Sequence, residues 1–480
     1  MRNQIIRNRT IELVLLAALA IAILSAVLIA RYSLNNNIPG QTAYYHMKIV
    51  KAMEYKPLSN TDPVSGNVYI PDAYDIILKF TSSLMAIDLA SKILPIIINL
   101  GIIILIYLTM NKIFGPRNET FLGIAAILMS PIFIYTTLTG SSISFYVMIS
   151  ILTIYMLLFS GIIQYLIALL LSITVALSPN IYLTLSFFTL MISLLLIKKS
   201  QKTVYLIFLS SIIAVFYQAG IVLKYGFPNT LPFYQRSIFS YFISNLGATL
   251  GFGIFYAILA MIGLFLTWRE KIKYAPLYIL TVSLLILTLL YHDIIIMLNL
   301  PFCVLTGYAF NKLMTMKWKL KLIKNLTLAV IIIGLVFSIV TFTIRAADLG
   351  PNPEIIKALH FLQDKTSGKV LSYYNYGLWI EYFAEKPAVL DTYTFYAQNN
   401  SQVYNLSNEA FNSYSLQITK PTLNELNVSY ILITSEMRNG LVWNEPDQGL
   451  LFLLQDNETF KSIYSTKDVE IWKYIHGETT

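Results

Sequence analysis

The chain has 480 residues, of which 56% are hydrophobic and only 12% are charged. Since a soluble domain carries about 25% charged residues, this composition excludes a single soluble fold and indicates a membrane protein whose solvent is the lipid bilayer. The net charge of +9 does not predict a nucleic-acid partner, because the Lys and Arg residues fall mostly in short loops between apolar runs, where basic residues set membrane topology. The single cysteine, Cys303, excludes an intrachain disulfide.

Basic residues precede the first apolar stretch, residues 11–30, as they precede the core of a signal peptide. Such a core is about 7–15 residues long, whereas a helix needs about twenty residues to cross a bilayer. The stretch has twenty residues and no convincing small-residue cleavage site. We therefore predict a retained first span.

Eleven apolar segments predict membrane spans. They are residues 11–30, 92–110, 120–136, 145–159, 162–177, 181–197, 203–223, 247–267, 275–291, 294–310 and 326–343, with the fourth and fifth separated only by Ser160-Gly161. Alternate loops are rich in Lys and Arg, whereas the short loops near 137–144, 178–180 and 292–293 contain none. Because basic loops stay in the cytoplasm, we predict a multi-pass cell-membrane protein with a cytoplasmic N-terminus and an extracytoplasmic C-terminal domain.

Outside the spans, the sequence predicts a long first outer loop, 31–91, within a transmembrane domain 1–344, a second outer loop, 224–245, and a soluble domain 345–480. The first loop ends in AYDIILKFTSSLMAIDLASK, which predicts an amphipathic helix along the membrane interface. In the soluble domain, PEIIKALHFLQDK predicts a helix and VLSYY and NVSYILIT predict strands, with LVW and VEIWKY as candidates for two more. This pattern is typical of an α/β domain. Four sequons agree with an exterior location, at Asn399, Asn405, Asn427 and Asn457.

The apolar centres of the predicted spans contain no Asp, Glu, Lys or Arg. Ionisable groups at that depth mark proton relays and ion paths, so this pattern argues against a proton- or sodium-coupled transporter. The sequence also has no phosphate-binding loop, Gly-rich dinucleotide fingerprint or His-Glu-x-x-His metal motif. Any chemistry is therefore expected at the outer surface, between the loops and the C-terminal domain.

Several segments share their order and spacing with a known group of membrane enzymes. They are GQTAYYHMKIVKAMEY and YIPDAYDIIL in the first loop, SPIFIYTTLTGSSISFYVM around the third and fourth spans, NPEIIKALHFLQDKTSGKVLSYYNYGLWIEYFAEKPAVLD in the soluble domain, and LNVSYILIT after it. On these residues the chain resembles the C-type membrane glycosyltransferases and, within that group, the catalytic subunit of archaeal and eukaryotic oligosaccharyltransferase. The resemblance implies a polyprenyl-linked saccharide as donor and an acceptor protein glycosylated on the Asn of a sequon.

The resemblance also implies which residues contact substrates. The family's Trp-Trp-Asp-Tyr-Gly signature, which helps to hold the acceptor, corresponds here to Tyr373, Tyr374, Asn375, Tyr376 and Gly377. The matching first-loop segment adds Tyr44, Tyr45 and His46. Taken by itself, YYNYG is also typical of an aromatic loop that packs the outer domain against the membrane face.

The residues that carry the family's metal chemistry are replaced. Its first-loop Asp corresponds to Thr42, and its Asp-x-Asp corresponds to Ser142 and Ser144. The loop 224–245 contains no Glu where the family has one near the metal, and the family's Arg for the pyrophosphate has no counterpart between the ninth and tenth spans. Mg²⁺ and Mn²⁺ need carboxylate oxygens, and neutral hydroxyls bind them poorly. We therefore predict that the metal site is lost and that no cofactor is used.

Three hypotheses follow. In the first, a divergent glycosyltransferase works without metal and uses Asp62, Asp72 or Asp75 as general base, although solvated loop charges are the commoner role of such residues. In the second, a non-catalytic paralogue (a pseudoenzyme) binds lipid-linked glycan or a partner glycoprotein. In the third, a structural surface-assembly protein keeps only the architecture. A cavity near Tyr376 that Asp72 or Asp75 faces would favour the first, and the third predicts no lipid-sized groove beside the first loop.

Overall fold

The computed structural model describes residues 2–53, 61–115, 118–226, 242–243, 250–393 and 400–475. Most of these residues are helical, and a small sheet lies near the C-terminus. The helices up to residue 348 are α1 (Arg2–Leu34), α2 (Thr42–Ala52), α3 (Ala73–Ser82), α4 (Ile87–Phe114), α5 (Asn118–Leu128), α6 (Pro131–Thr139), α7 (Ser142–Leu157), α8 (Ile162–Ala176), α9 (Ile181–Lys198), α10 (Gln201–Tyr225), α11 (Ile254–Thr267), α12 (Lys271–Leu290), α13 (Ile295–Thr315) and α14 (Lys321–Asp348).

The helices follow the predicted spans in order. By length and composition, seven helical stretches of the described chain could cross a membrane, or eight if the bent pair α5 and α6 is one span, while α7 and α8 are apolar but shorter. One of the seven stretches, Ile254–Leu290, is a hairpin of α11 and α12. Tyr256, early in α11, donates to Asn299 near the start of α13, whereas Tyr274, early in α12, packs on Tyr308 near its end. The described chain has eleven candidate spans, the predicted number, when the hairpin counts as two spans, the bent pair as one, and α7 and α8 as one each.

The third predicted span is broken into two helices. α5 and α6 meet at 57°. A proline ring drives the preceding residue out of the helical region, and Ser130, just before Pro131, is extended, with φ −86° and ψ 134°. Gly140 then ends α6 in the left-handed conformation, with φ 63°. A Cβ at Gly140 would lie 3.4 Å from the Cβ of Ala43, so this turn packs directly against α2.

The end of the first loop differs from the prediction. AYDIILKFTSSLMAIDLASK does not form one interfacial helix, because α3 ends at Ser82 and α4, the second span, begins at Ile87 rather than at residue 92. The hydroxyls of Ser82 and Ser83 donate to the carbonyls of Lys79 and Phe80. Side-chain bonds of this kind compete with continuation of a helix. α3 consequently folds back onto α2 and α4.

The residues after α14 form an α/β domain around a four-stranded sheet. Its main elements are α15 (Pro353–Gln363), β1 (Lys369–Leu371), α16 (Asn400–Asn412), α17 (Leu416–Glu425), β2 (Val428–Thr434), α18 (Leu450–Leu453), β3 (Phe460–Ser465) and β4 (Val469–Tyr474). The strand order is β1-β2-β4-β3, with β1 parallel to β2 and the other neighbours antiparallel. The predicted helix at PEIIKALHFLQDK and the strands at VLSYY, NVSYILIT and VEIWKY are confirmed.

One predicted strand of this domain is wrong and another was missed. LVW does not form a strand: Leu441 ends a helical turn, and the buried indole N–H of Trp443 donates to the carbonyl of Phe411 at 2.9 Å. The partner of β4 is instead β3, whose sequence FKSIYS lacks strict alternation. β3 is an edge strand, and its Lys461 and Ser462 are both exposed, so the burial that produces an alternating pattern is incomplete.

Arg31 joins the end of the first span to the end of the last. Its side chain is fully buried. The guanidinium donates to the carbonyls of Ala346, Ala347 and Asn37 at 3.3, 2.5 and 2.8 Å. The last carbonyls of a helix have no partner within that helix, and Arg31 supplies one for the end of α14. The start of the first loop is thereby fixed to the start of the C-terminal domain.

Replacing Arg31 with Leu is expected to destabilise the protein by about 3 kcal/mol, because the buried carbonyls lose a charged donor. The check is the thermal unfolding midpoint of the purified protein in detergent. Arg345→Leu is the matched control, since Arg345 is an exposed residue of the same helix end. Equal midpoints for the two variants would contradict the assigned role of Arg31.

Candidate functional site

A cavity of about 200 Å³ opens where the first loop, three turns between spans and the C-terminal domain meet. We call it the loop cavity. Its wall consists of Thr42, Tyr45, Val68, Ile70, Asp72, Ser141, Ser142, Ile143, Ser178, Pro179, Asn180, Ile181, Leu183, Tyr291, Asp293, Thr392 and Tyr393. The three short loops without Lys or Arg thus lie at the same end of the molecule as the first loop. Their common side agrees with the predicted topology, and its assignment to the cell exterior stays a prediction.

Four residues singled out from the sequence line the loop cavity. Thr42 begins α2 and Ser142 begins α7, and both face the cavity together with Tyr45 and Asp72. Ser144 is buried, and its hydroxyl has no partner among the residues that the structure describes. Two of the three positions that correspond to the family's metal ligands therefore meet at one cavity, where they carry hydroxyls.

Asp72 places a carboxylate in the wall of the loop cavity. It caps the N-terminus of α3, and its Oδ1 accepts from the Tyr74 backbone N–H and the Tyr146 hydroxyl, both at 2.9 Å. Both bonds fall on Oδ1, so no described residue occupies Oδ2. Burial and the nearby charge of Asp75 raise the pKa of Asp72 to about 6, while His46 acts in the opposite direction. A carboxylate with such a pKa is suited to general base chemistry near neutral pH.

Asp75 lies behind the cavity wall and is fully buried. Its Oδ1 is 2.6 Å from Nδ1 of His46, and its Oδ2 accepts from the Tyr69 hydroxyl at 2.9 Å. Both oxygens of Asp75 are therefore occupied by protein groups. Of the two carboxylates on α3 that the sequence nominated as bases, only Asp72 faces the cavity.

Aromatic rings form one side of the loop cavity. Tyr45 of α2 and Tyr393 of the C-terminal domain are stacked, with ring centroids 3.8 Å apart and planes at 22°. Burial and the nearby carboxylates hold the pKa of Tyr393 well above its ordinary value, so its hydroxyl keeps its proton and can donate a hydrogen bond. Tyr393 was missed in the sequence, because 33 tyrosines make a single one uninformative.

The pentapeptide Tyr373–Gly377 lies beside the loop cavity and contributes no residue to its described wall. The Tyr376 hydroxyl donates to Glu436 at 2.6 Å within the C-terminal domain. Gln41, next to Thr42, connects the two regions: its amide donates to the Asn375 carbonyl and accepts from the hydroxyl of Thr392. The pentapeptide thus anchors the start of α2 beside the loop cavity, and the acceptor contact that the resemblance implies for it stays a prediction.

Tyr44, which the resemblance also nominated, does not line the loop cavity. Its ring packs edge-on against Tyr382 with centroids 5.2 Å apart, and its hydroxyl donates to the Ile38 carbonyl. It lines a different cavity of about 420 Å³ on the opposite side of α2, with Lys51 and Lys92. α2 therefore separates two cavities beside the first loop.

A second buried cluster joins the first loop to the C-terminal domain. Lys48 of α2 lies 2.5 Å from Asp62 and 2.5 Å from Glu381. Asp391 acts on the same ammonium, and the four side chains are at most 6% exposed. Burial raises the pKa of Glu381 to about 8, against the opposing effect of Lys48. Asp62, a candidate base in the sequence, is therefore held in an ion pair away from the loop cavity.

The described wall of the loop cavity contains two carboxylates, Asp72 and Asp293, and no Lys, Arg or His. Within the described ranges, no three His, Cys, Asp or Glu side chains are grouped so that they could hold a metal ion. The loop 224–245, whose sequence contains no Glu to serve as a metal ligand, lies mostly outside the described residues. The hydroxyls of Thr42 and Ser142 do not fit the oxygen-rich, anionic ligand set that a hard divalent cation needs.

Comparison with solved structures shows that the chain has the fold of the C-type membrane glycosyltransferases. The family resemblance seen in the sequence is confirmed at the level of this fold. No protein-family model and no curated protein matches the chain.

Among individual structures, the chain is similar to the apo form of the oligosaccharyltransferase from Archaeoglobus fulgidus, with a TM-score of 0.60, 13% identity, and coverage of 97% of this chain and 74% of that one. ArnT from Cupriavidus metallidurans gives a TM-score of 0.56 at 10% identity, covering 98% and 99%. Arabinofuranosyltransferase AftD from Mycobacteria gives 0.53 at 14% identity, covering 95% and 41%. One structure of the Archaeoglobus enzyme is a complex with an inhibitory peptide and a dolichol-phosphate, and one of ArnT contains undecaprenyl phosphate.

Proposed function

We propose that this protein is a metal-independent membrane glycosyltransferase that takes a polyprenyl-linked sugar at the outer membrane face. The observation that carries the proposal is the Asp72 carboxylate, which faces the loop cavity and makes its hydrogen bonds to described residues through Oδ1 alone. The fold is shared with enzymes whose structures contain polyprenyl phosphates, which supports the same class of donor here.

The metal site of the family is proposed to be lost. Its ligand positions hold Thr42, Ser142 and Ser144, and the remaining carboxylates of the described wall, Asp72 and Asp293, come from other segments. A divalent cation would exchange its hydration shell for neutral hydroxyls at these positions, which is unfavourable. Proton transfer then has to be handled by side chains of the protein.

Asp72 is proposed to act as the general base. The nucleophilic atom of the acceptor forms a bond to the anomeric carbon of the donor sugar as its proton passes to Oδ2 of Asp72. The bond between that carbon and the phosphate oxygen breaks, and its electron pair stays on the lipid phosphate. Hydrogen bonds from Tyr74 and Tyr146 to Oδ1 fix the orientation of the carboxylate, which is what positioning of a base requires.

The second candidate function is that of a non-catalytic paralogue that binds a lipid-linked glycan or a partner glycoprotein. It is favoured by the helix-capping role of Asp72, since a cap and a bond to Tyr146 account for this residue without catalysis. The structural surface-assembly hypothesis predicted no lipid-sized groove beside the first loop, and this stays a prediction.

The test is glycan transfer by the purified protein in nanodiscs, from a polyprenyl-linked donor to a sequon peptide, with binding of the donor measured in parallel. We expect glycosylated peptide. Saturable donor binding without product would replace the proposal by the paralogue hypothesis, and the lack of both binding and product would contradict it altogether.

The stacked tyrosines provide a test of where the saccharide binds. Tyr393→Ala is expected to weaken donor or acceptor binding about tenfold, because the cavity loses an aromatic face that contributes about 1 kcal/mol or more. Tyr393→Phe keeps the stack with Tyr45 and is the matched control. The measurement is the KM of each substrate, and an unchanged KM in Tyr393→Ala would place the saccharide elsewhere.

A further inference from the structure

Behind the loop cavity, a histidine and two aspartates share one buried site. Asp72 and Asp75 lie three residues apart at the N-terminus of α3, and His46 reaches Asp75 from α2 at 2.6 Å. Asp75 and His46 are both fully buried, and Asp72 is 4% exposed. Nε2 of His46 has no hydrogen-bond partner among the described residues, so Asp75 is the group that holds the ring.

Two neighbouring carboxylates in a buried site do not both ionise readily, because like charges disfavour each other's charged form. One cation in contact with the pair removes this conflict. The N-terminus of α3 also favours negative charge, but its dipole acts on both aspartates alike. Among the groups described around the pair, His46 is the one that contacts Asp75 and can carry a positive charge.

We propose that His46 is a positioning residue for transfer: it carries the proton that neutralises Asp75, so that Asp72 remains an anion able to accept a proton in the loop cavity. This inference rests on the proposed function of Asp72. His46 touches neither substrate nor the reacting atoms and acts through the charge of Asp75.

The remaining groups around this site agree with the assignment. Burial alone would lower the pKa of His46, but the carboxylates of Asp75 and Asp72 outweigh it and hold the pKa above its ordinary value. Among the described residues, the other titratable or charged groups that act on the three residues are Tyr45, Tyr69, Tyr74, Tyr146, Tyr217 and Tyr393, with Lys48, Asp62 and Asp293 acting through Tyr45 and Tyr393. Burial raises the pKa of Tyr45, Tyr69, Tyr74 and Tyr393, so their hydroxyls stay neutral. Among the described side chains, His46 is therefore the one in contact with the pair that can supply a positive charge.

The first arm of the test is the pH profile of transfer. His46→Gln keeps a hydrogen-bonding side chain but no charge. The acid limb, the pH range in which the transfer rate falls as Asp72 is protonated, is expected to move up by about one pH unit in this variant. At a pH below this limb the rate should be about tenfold lower than that of the wild type. Combining His46→Gln with Asp75→Asn removes both charges and is expected to return the limb towards that of the wild type. A purely structural role predicts that the double variant is worse than the single one. His360→Gln, at an exposed site on α15, is the control.

The second arm does not depend on activity. Histidine-selective ¹⁵N labelling of the protein in nanodiscs gives signals from four histidines, and the His46 signal is assigned by its loss in His46→Gln. We expect both ring nitrogens of His46 to be protonated at pH 7, and this state to be lost in Asp75→Asn. A neutral His46 at pH 7, or a limb that does not move in an active His46→Gln protein, would overturn the inference. If the wild type shows no transfer, the proposed function fails while the spectra still decide the charge of His46.

Discussion

Replacing Asp72 with Asn is expected to lower the rate of glycan transfer by about 10²- to 10⁴-fold, the usual contribution of a general base. The side chain of Asn keeps an oxygen that can accept from the Tyr74 backbone N–H and from the Tyr146 hydroxyl, so the cap of α3 and the shape of the cavity are retained. What is lost is the negative charge and the site for the acceptor's proton. The measurement is the rate of product formation at saturating donor and acceptor, beside the thermal unfolding midpoint.

Asp293→Asn is the matched control for this prediction. Asp293 lines the same cavity and accepts from the Tyr291 hydroxyl at 3.1 Å, but its side chain is 44% exposed. We expect a loss of less than about tenfold, since this exposed carboxylate is hydrated and is not held in place by a buried hydrogen-bond network as Asp72 is. A large loss in Asp293→Asn with little change in Asp72→Asn would assign the base to Asp293 instead.

Replacing Lys48 with Met is expected to destabilise the protein by about 3–5 kcal/mol, because removal of one partner leaves buried carboxylates without compensation. The affected residues, Asp62, Glu381 and Asp391, come from the first loop and the C-terminal domain. Loss of the Lys48 ammonium should therefore weaken the contact between these two regions. Lys51→Met is the control, since Lys51 is exposed on the same helix and lies 4.0 Å from the ring centre of Tyr382. Limited proteolysis and thermal unfolding at pH 7 report the difference, and equal stability of both variants would contradict it.

The same cluster predicts a pH dependence of stability. The pKa of Glu381 is raised from 4.5 to about 8, first by burial, so the folded protein binds this proton more tightly than the unfolded chain. Its contribution to stability is present below about pH 4.5 and is lost as the pH rises through about 8. We expect Glu381→Gln, which cannot ionise, to flatten this fall in the thermal midpoint. A wild-type midpoint that rises with pH between 5 and 8, with no difference in Glu381→Gln, would contradict the assignment.

Local patterns in the sequence were sufficient for the fold class. Apolar runs predicted the spans, most of them about as long as a bilayer is thick. The steric effect of Pro131 on Ser130 could also have located the bend in the third span. The break between α3 and α4 was not predictable in this way, because it depends on hydroxyls of Ser82 and Ser83 that bond to carbonyls only once the chain has folded.

The residues of the candidate site were predictable from the sequence only where they lie in a recognisable segment. Thr42 and Ser142 were found because they stand at fixed places in segments that resemble the glycosyltransferases, and Asp72 was found because it is one of the few acidic residues of the first loop. Asp293 and Tyr393 have no motif, and they reach the cavity because loops far apart in sequence converge at one end of the helices. The resemblance implies that the pentapeptide Tyr373–Gly377 helps to hold the acceptor, but it did not predict that the backbone of Asn375 holds Gln41 beside the cavity wall.

The most direct measurement of the proposed loss of metal dependence is transfer by the wild-type protein with and without a chelator, after removal of divalent cations and after addition of Mn²⁺. We predict the same amount of product in all three conditions, because Thr42 and Ser142 offer a divalent cation no anionic oxygen. Product that disappears with the chelator and returns with Mn²⁺ would contradict this account of the site.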